Sequence, residues 1–208
     1  MKREEALKDL KKLIKKLDKQ ENTFCLLVAL QALVRASPEV SAYWRYLLGD
    51  TLRVLGRASD AEKILQEIRQ VPEVPKQHRY LIELSIGELY RDRGEYERAE
   101  QYFRSATQLN PTSTVPWVYL GVCLTRQEKF ERAIEVFERG LTARGDHDEI
   151  LDNIGRCKLA LNDAKGAKDC FEKSLSLEPN STSLIAFVKD LETLPKVKSE
   201  IDRLLSAN

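Results

Sequence analysis

Three glycines set the terms on which this chain folds. Gly87, Gly121 and Gly155 recur at intervals of 34 residues, each behind an aliphatic residue, Ile86, Leu120 and Ile154. Twelve residues after each glycine stands an alanine (Ala99, Ala133, Ala167), and four further on a phenylalanine (Phe103, Phe137, Phe171). A register held over three copies predicts one supersecondary unit, repeated and stacked. Glycine and alanine lack the bulk that keeps two backbones apart. Each unit therefore reads as two helices crossing closely, with the phenylalanine filling the space beside the crossing. The turns between paired helices fall near Arg93-Gly94, Glu128 and Asn162. Pro111 and Pro179 end second helices, because proline cannot continue the hydrogen-bond ladder.

This pattern resembles the tetratricopeptide repeat, whose period is about 34 residues. One copy runs Trp117, Leu120-Gly121, Leu124, Ala133, Phe137, and another Ile86-Gly87, Tyr90, Ala99, Phe103, Ala106, Asn110-Pro111. A third runs Leu151, Ile154-Gly155, Ala167, Phe171, Pro179, with Lys158 where an aromatic is usual. A looser upstream copy, Leu48-Gly49, Leu52, Gly56, Ala61, Leu65, Ile68, has its glycine 38 residues before Gly87, so four extra residues intervene. The resemblance implies an all-α fold, a right-handed superhelical solenoid of antiparallel helix pairs. Its units are 42–79, which carries the insertion, then 80–113, 114–147 and 148–181. Leu7, Leu10, Ile14 and Leu17 at helical spacing, and a second helix from about Thr23 to Arg35, make 1–41 a degenerate N-terminal pair. Residues 182–208 read as C-terminal capping helices, since terminal repeats meet water on one face.

Charge and composition narrow the function. The 208 residues carry 34 Lys and Arg against 33 Asp and Glu, a net charge of +1, which offers no global basic field to nucleic acid. Residues 2–19 are the exception, with eight Lys and Arg against four Asp and Glu. That basic amphipathic helix reads as the solvated face of a cap rather than a membrane contact. The uncharged run Ser105–Thr125 is broken by Pro111 and Pro116 and makes no span. Acidic residues ahead of the apolar stretch Phe24–Val34 argue against an export signal, and the cytoplasm is the expected location. Cys25, Cys123, Cys157 and Cys170 show no CxxC spacing. They read as buried thiols in a reducing compartment, with no metal and no other cofactor expected. Two histidines, no phosphate loop and no nucleophile elbow predict no enzyme. Three short matches read as incidental: a PxxP segment at Pro72–Pro75 as a stiff connection between repeats, Gly145 of Arg144-Gly145-Asp146 as a helix C-cap, and the sequon Asn180-Ser181-Thr182.

The resemblance further implies that first helices line a concave groove where ligands bind. The register selects Tyr43, Tyr46, Asp50 and Arg53, then Leu81, Leu84, Glu88 and Arg91. Next come Val115, Val118, Val122 and Arg126, and last Glu149, Asp152 and Arg156. The carboxylate-clamping set of chaperone-binding members is missing, because the corresponding places hold Tyr46, Asp50, Ser85, Val115 and Tyr119. The apolar middle, from Leu81 to Val122, suits a protein or peptide segment with an apolar face, such as an amphipathic helix. The chain's own terminal helix, or a second subunit in a homo-oligomer, is the other way to cover it. The expected function is a non-catalytic adaptor or scaffold, and the alternative is a secretion-type or general chaperone guarding hydrophobic segments of a client protein.

Overall fold

A computed structural model describes residues 2–19, 22–37, 41–145 and 147–179. Among them every regular element is an α-helix, ten in all: α1 (Lys2–Lys19), α2 (Thr23–Ala36), α3 (Ala42–Val54), α4 (Ala58–Arg69), α5 (Lys76–Asp92), α6 (Tyr96–Leu109), α7 (Val115–Arg126), α8 (Phe130–Gly140), α9 (Asp148–Ala160) and α10 (Ala164–Leu177). The chain divides into two compact units, Met1–Asn110 with α1 to α6 and Pro111–Asn208 with α7 to α10. In the first, α1 pairs with α2, α3 with α4 and α5 with α6, while α2 packs on α3, and α5 on both α3 and α4. In the second, α7 pairs with α8 and α9 with α10, and α9 packs on α7 and α8. The expected capping helices at 182–208, and the sequon, lie outside the described residues.

The repeat glycines sit at the helix crossings. A Cβ on Gly87 would lie 2.6 Å from the Phe103 ring, and Gly121 against Phe137 and Gly155 against Phe171 are as tightly opposed. At Gly49 the opposing group is Leu65, whose Cγ would be 2.8 Å away. Those four side chains, and Ala61, Ala99, Ala133 and Ala167 beside them, are wholly shielded from solvent. Small residues are thus required on one helix so that a large one on its partner can reach the axis.

The turns inside the pairs repeat as well. Gly56 (φ 75°), Gly94 (77°), Glu128 (58°) and Asn162 (62°) all adopt the left-handed conformation. The next residue in each case donates its N–H back across the turn, Arg57 to the Leu52 carbonyl, Glu95 to Tyr90, Lys129 to Leu124 and Asp163 to Lys158, at 2.8 to 2.9 Å. This is the bond that ends a helix in a Schellman motif.

Two expectations need correcting here. The four extra residues ahead of Gly87 do not lengthen the connection between repeats. They lengthen α5, which has 17 residues against 13 in α3. Pro75 (φ −56°, ψ 145°) is its N-cap, and a residue without an N–H fits just ahead of the first turn. The segment before it is pinned, with Val74 buried and the Arg79 guanidinium donating to the Val71 and Pro72 carbonyls at 3.1 and 3.2 Å. Gly145 is not the cap of α8, which ends at Gly140. It lies in the following loop, where the Arg144 N–H meets the Thr112 carbonyl at 2.7 Å.

Candidate functional site

On α3, Tyr43, Tyr46, Asp50 and Arg53 fall on one stripe because three- and four-residue steps return to the same face of a helix. Leu81, Leu84, Glu88 and Arg91 do the same on α5, and the packing of α3 on α5 brings the stripes together. Arg53 is the centre. Its guanidinium lies 3.0 Å from Asp50, 3.1 Å from Glu88 and 3.7 Å from Asp92. Arg91 lies 2.9 Å from Asp92, and the buried Ser85 hydroxyl donates to Asp50 at 3.0 Å. Burial works against the charge on Arg53, yet Glu88 and Asp50 outweigh it and hold the guanidinium more firmly protonated than usual. Burial, then the Asp50 charge, pushes the Tyr46 hydroxyl well above the ordinary phenol range. Beside this network the Tyr43 ring lies 5.3 Å from His78, on the extra turn of α5, and 6.3 Å from Tyr46. Leu81 and Leu84 are half-buried. Asp92, which the sequence reading passed over, is one helical turn beyond Glu88, and that spacing is the signal that could have found it.

In the second unit the stripe is simpler. Val115 is exposed, Val122 half-buried, Arg126 exposed, and Arg156 pairs with Asp152 on α9 at 2.8 Å. Burial, then Asp148 and Asp152, raises the Glu149 carboxyl. Val118 departs from expectation. It is 5% exposed and belongs to the core with Phe137, Ile150, Ile154 and Cys157, because α9 packs on α7 and covers it. Val118 is a packing residue, Val122 is half-buried against the same core, and Val115 is the exposed aliphatic of α7.

A second polar network, absent from any linear pattern, ties α4 to α5 and α6. Glu62 accepts from the Tyr90 hydroxyl at 2.6 Å and from Arg93 at 2.7 Å. The Tyr90 ring stacks on Tyr102 at 5.4 Å, and Tyr102 accepts from Gln66 at 2.9 Å beneath the Arg69 guanidinium. Arg69 reaches on to the buried Glu83 at 2.7 Å. The hydrogen bond to Glu62, then burial, pushes the Tyr90 hydroxyl up to about 12. The same bond, aided by Arg93 and opposed by burial, holds the Glu62 carboxyl below its usual range.

The cysteines divide. Cys123, Cys157 and Cys170 are buried, whereas Cys25 is exposed on the first turn of α2, which corrects the expectation of four buried thiols. Burial raises the Cys157 and Cys170 thiols. Among the described residues no helix is long and apolar enough to cross a membrane.

Profiles of the tetratricopeptide repeat match residues 28–75, 90–150 and 148–181. Over 146 residues the chain is 24% identical to the peroxisomal targeting signal receptor of Kluyveromyces lactis, covering 68% of this chain and 25% of that one. It is 27% identical over 97 residues to the Hsp70-Hsp90 organizing protein of Triticum aestivum, covering 47% of this chain and 17% of that one. The chain thus spans a quarter or less of these relatives. Among solved structures, MamA from Desulfovibrio magneticus RS-1 superimposes with a TM-score of 0.72 at 16% identity, over 85% of this chain and 97% of that one. YrrB, described as a tetratricopeptide-repeat protein with an unusual peptide-binding site, does so at 0.66 and 15%, over 85% and 88%. At such identities the superpositions speak to the fold, an all-α solenoid type. Family and fold are those of protein-interaction modules, typically non-catalytic.

Proposed function

The chain is a tetratricopeptide-repeat protein, and from that premise we propose that it is a non-catalytic adaptor or scaffold. Its ligand is a peptide or amphipathic helix of a partner protein, held on the first-helix faces. In the first unit those faces present Tyr43, Tyr46, Asp50, Arg53, Leu81, Leu84, Glu88 and Arg91. In the second they present Val115, Val122, Arg126, Asp152 and Arg156. We read the repeats as 42–79, 80–113, 114–147 and 148–181, between terminal helices. The observation that carries the reading is the side-by-side placement of half-buried aliphatics on α5 and a network of ion pairs between α3 and α5. Leu81 and Leu84 stand next to carboxylates already matched by Arg53, so an incoming apolar face meets little uncompensated charge. The receptor and the organizing protein among the relatives, and the peptide-binding site named for YrrB, agree with this use of the fold. A free thiol at Cys25 fits a reducing, cytoplasmic setting.

A photocrosslinking amino acid at Leu84 or Val122 tests the assignment. Covalent adducts with a partner protein are expected from those two positions, and few from Glu97 or Glu131, which are exposed on second helices. Adducts of equal yield from all four would remove the first-helix faces from the proposal. Adducts only between copies of this chain would mean that a homo-oligomer covers them. Val118 is unsuited to such a test, since a change there disturbs the core.

A further inference from the structure

We propose that the cleft between α1 and α3 binds an acidic peptide segment of a partner protein, through the ammonium groups of Lys8, Lys11, Lys12 and Lys15. The proposal rests on the reading of this chain as a protein-binding module, and adds to it a site and a ligand chemistry. The cleft encloses about 470 Å³, with Leu7 and Trp44 as its apolar part, within the range of natural ligand clefts.

Its place in the repeat follows from burial. Ile14, Leu26, Leu30 and Leu33 are shielded just as Gly49, Ala61, Leu65 and Ile68 are, 35 residues later. By that correspondence α1 stands one repeat ahead of α3, and Lys8, Lys11 and Lys15 take the places of Tyr43, Tyr46 and Asp50. The inner stripe continues, but its chemistry changes. On α3 the carboxylate of Asp50 is matched by Arg53 at 3.0 Å. In the cleft four ammonium groups meet one carboxylate, Glu4. Lys12 also reaches Asp9 at 3.2 Å, with both side chains about two-thirds exposed (69% and 66%), an arrangement that is readily exchanged for another anion. Like charges one turn apart on a helix repel, so an acidic ligand relieves a cost that the free cleft carries.

The geometry favours a peptide over the other anions. Lys8 and Lys15 are two turns apart, about 10 Å along the axis, a distance that three or four extended residues cover. Leu7 and Trp44 lie inside the cleft, where a side chain of a peptide reaches them and a flat lipid surface does not.

The test uses a short fluorescein-labelled peptide in which pairs of glutamates alternate with single leucines, and its glutamine counterpart, followed by fluorescence anisotropy with the full chain. The glutamate peptide is expected to bind, more weakly as salt shortens the screening length, and the glutamine peptide to bind far less. Lys11→Glu together with Lys15→Glu should weaken binding about tenfold or more, with helix content and melting unchanged. Lys165→Glu, the same charge change at an exposed position on α10, should leave it within about twofold. Absence of binding, or equal binding by the lysine variant, overturns the proposal. So does lysine-dependent sedimentation with phosphatidylserine–phosphatidylcholine vesicles without peptide binding. Failure here with crosslinks intact at Leu84 and Val122 would leave the adaptor function standing, and the reverse result would leave the cleft standing alone.

Discussion

The two units use one steric scheme and two kinds of cohesion. Both pass a phenylalanine over a glycine at the crossing, Phe103 over Gly87 in the first and Phe137 over Gly121 in the second. Between consecutive pairs they differ. The first unit is tied by long-range polar and aromatic contacts: Glu62 with Tyr90 and Arg93, Arg69 with Glu83, Arg53 with Glu88. The second unit is built on an apolar core around Val118, Leu124, Phe137, Ile150 and Ile154, and its ion pairs include Arg156 with Asp152 and Lys168 with Glu172 along one helix and Lys158 with Asp163 across the α9–α10 turn. Its turns also differ, with Glu128 and Asn162 in the left-handed conformation that glycine serves at Gly56 and Gly94. Steric positions are thus shared because backbone approach demands them, while electrostatic ones are free to vary.

That contrast can be broken in order of effect. Phe103→Ala and Phe137→Ala should each cost about 3–5 kcal/mol, as truncation of a fully buried phenylalanine does. Urea denaturation followed by Trp44 for the first unit and Trp117 for the second should find the two losses similar. A loss confined to one unit would end the idea of a shared scheme. Next in size, Glu62→Gln should destabilise the first unit by about 1–3 kcal/mol, by weakening hydrogen bonds to a charged acceptor, and leave the Trp117 transition in place.

The same network sets a pH dependence with a definite sign. The Tyr90 hydroxyl ionises near 10 when unfolded and at about 12 when folded. Its contribution is therefore complete below pH 10 and lost as pH rises toward 12. The Glu62 carboxyl, held low, contributes above the ordinary carboxylate range and loses that contribution as pH falls through its lowered value. Tyr90→Phe should flatten the alkaline decline at Trp44. An unchanged decline would place its origin elsewhere.

Smaller effects lie in the turns. Glu128→Gly relieves a left-handed residue with a Cβ and should raise stability by about 1 kcal/mol, or about 2–4 °C in Tm. Asn162→Gly should gain only a few tenths, because asparagine tolerates that conformation. The smallest change is expected from Arg156→Ala, within about 0.5 kcal/mol, since the Arg156 side chain is exposed and its partner lies on the same helix.

The repeat was legible because a glycine facing a phenylalanine is a requirement of contact, and such a requirement leaves the same residue type at the same interval. The turns at Gly94, Glu128 and Asn162 were legible from the 34-residue interval alone, since the residue type changes from one to the next. Arg53, Asp50 and Glu88 could be placed on neighbouring stripes, though not their convergence on one guanidinium. Glu62, Tyr90 and Tyr102 meet across three helices, and no local spacing encodes such a meeting. Val118 was assigned to the groove because periodicity gives the face of a helix but not which neighbour comes to cover it. The four residues before Gly87 could be counted, yet whether they extend a loop or a helix depended on how Pro75 caps α5.

The division of the cysteines gives the folded molecule a selective chemistry. With Cys25 open to solvent and the other three thiols enclosed in the second unit, a maleimide dye will attach first, and in the native state alone, to α2. Slower modification at Cys123, Cys157 and Cys170 must wait for α7 to α10 to part. One unmutated protein thus supplies both a handle on its first unit and a stopwatch for the breathing of its second.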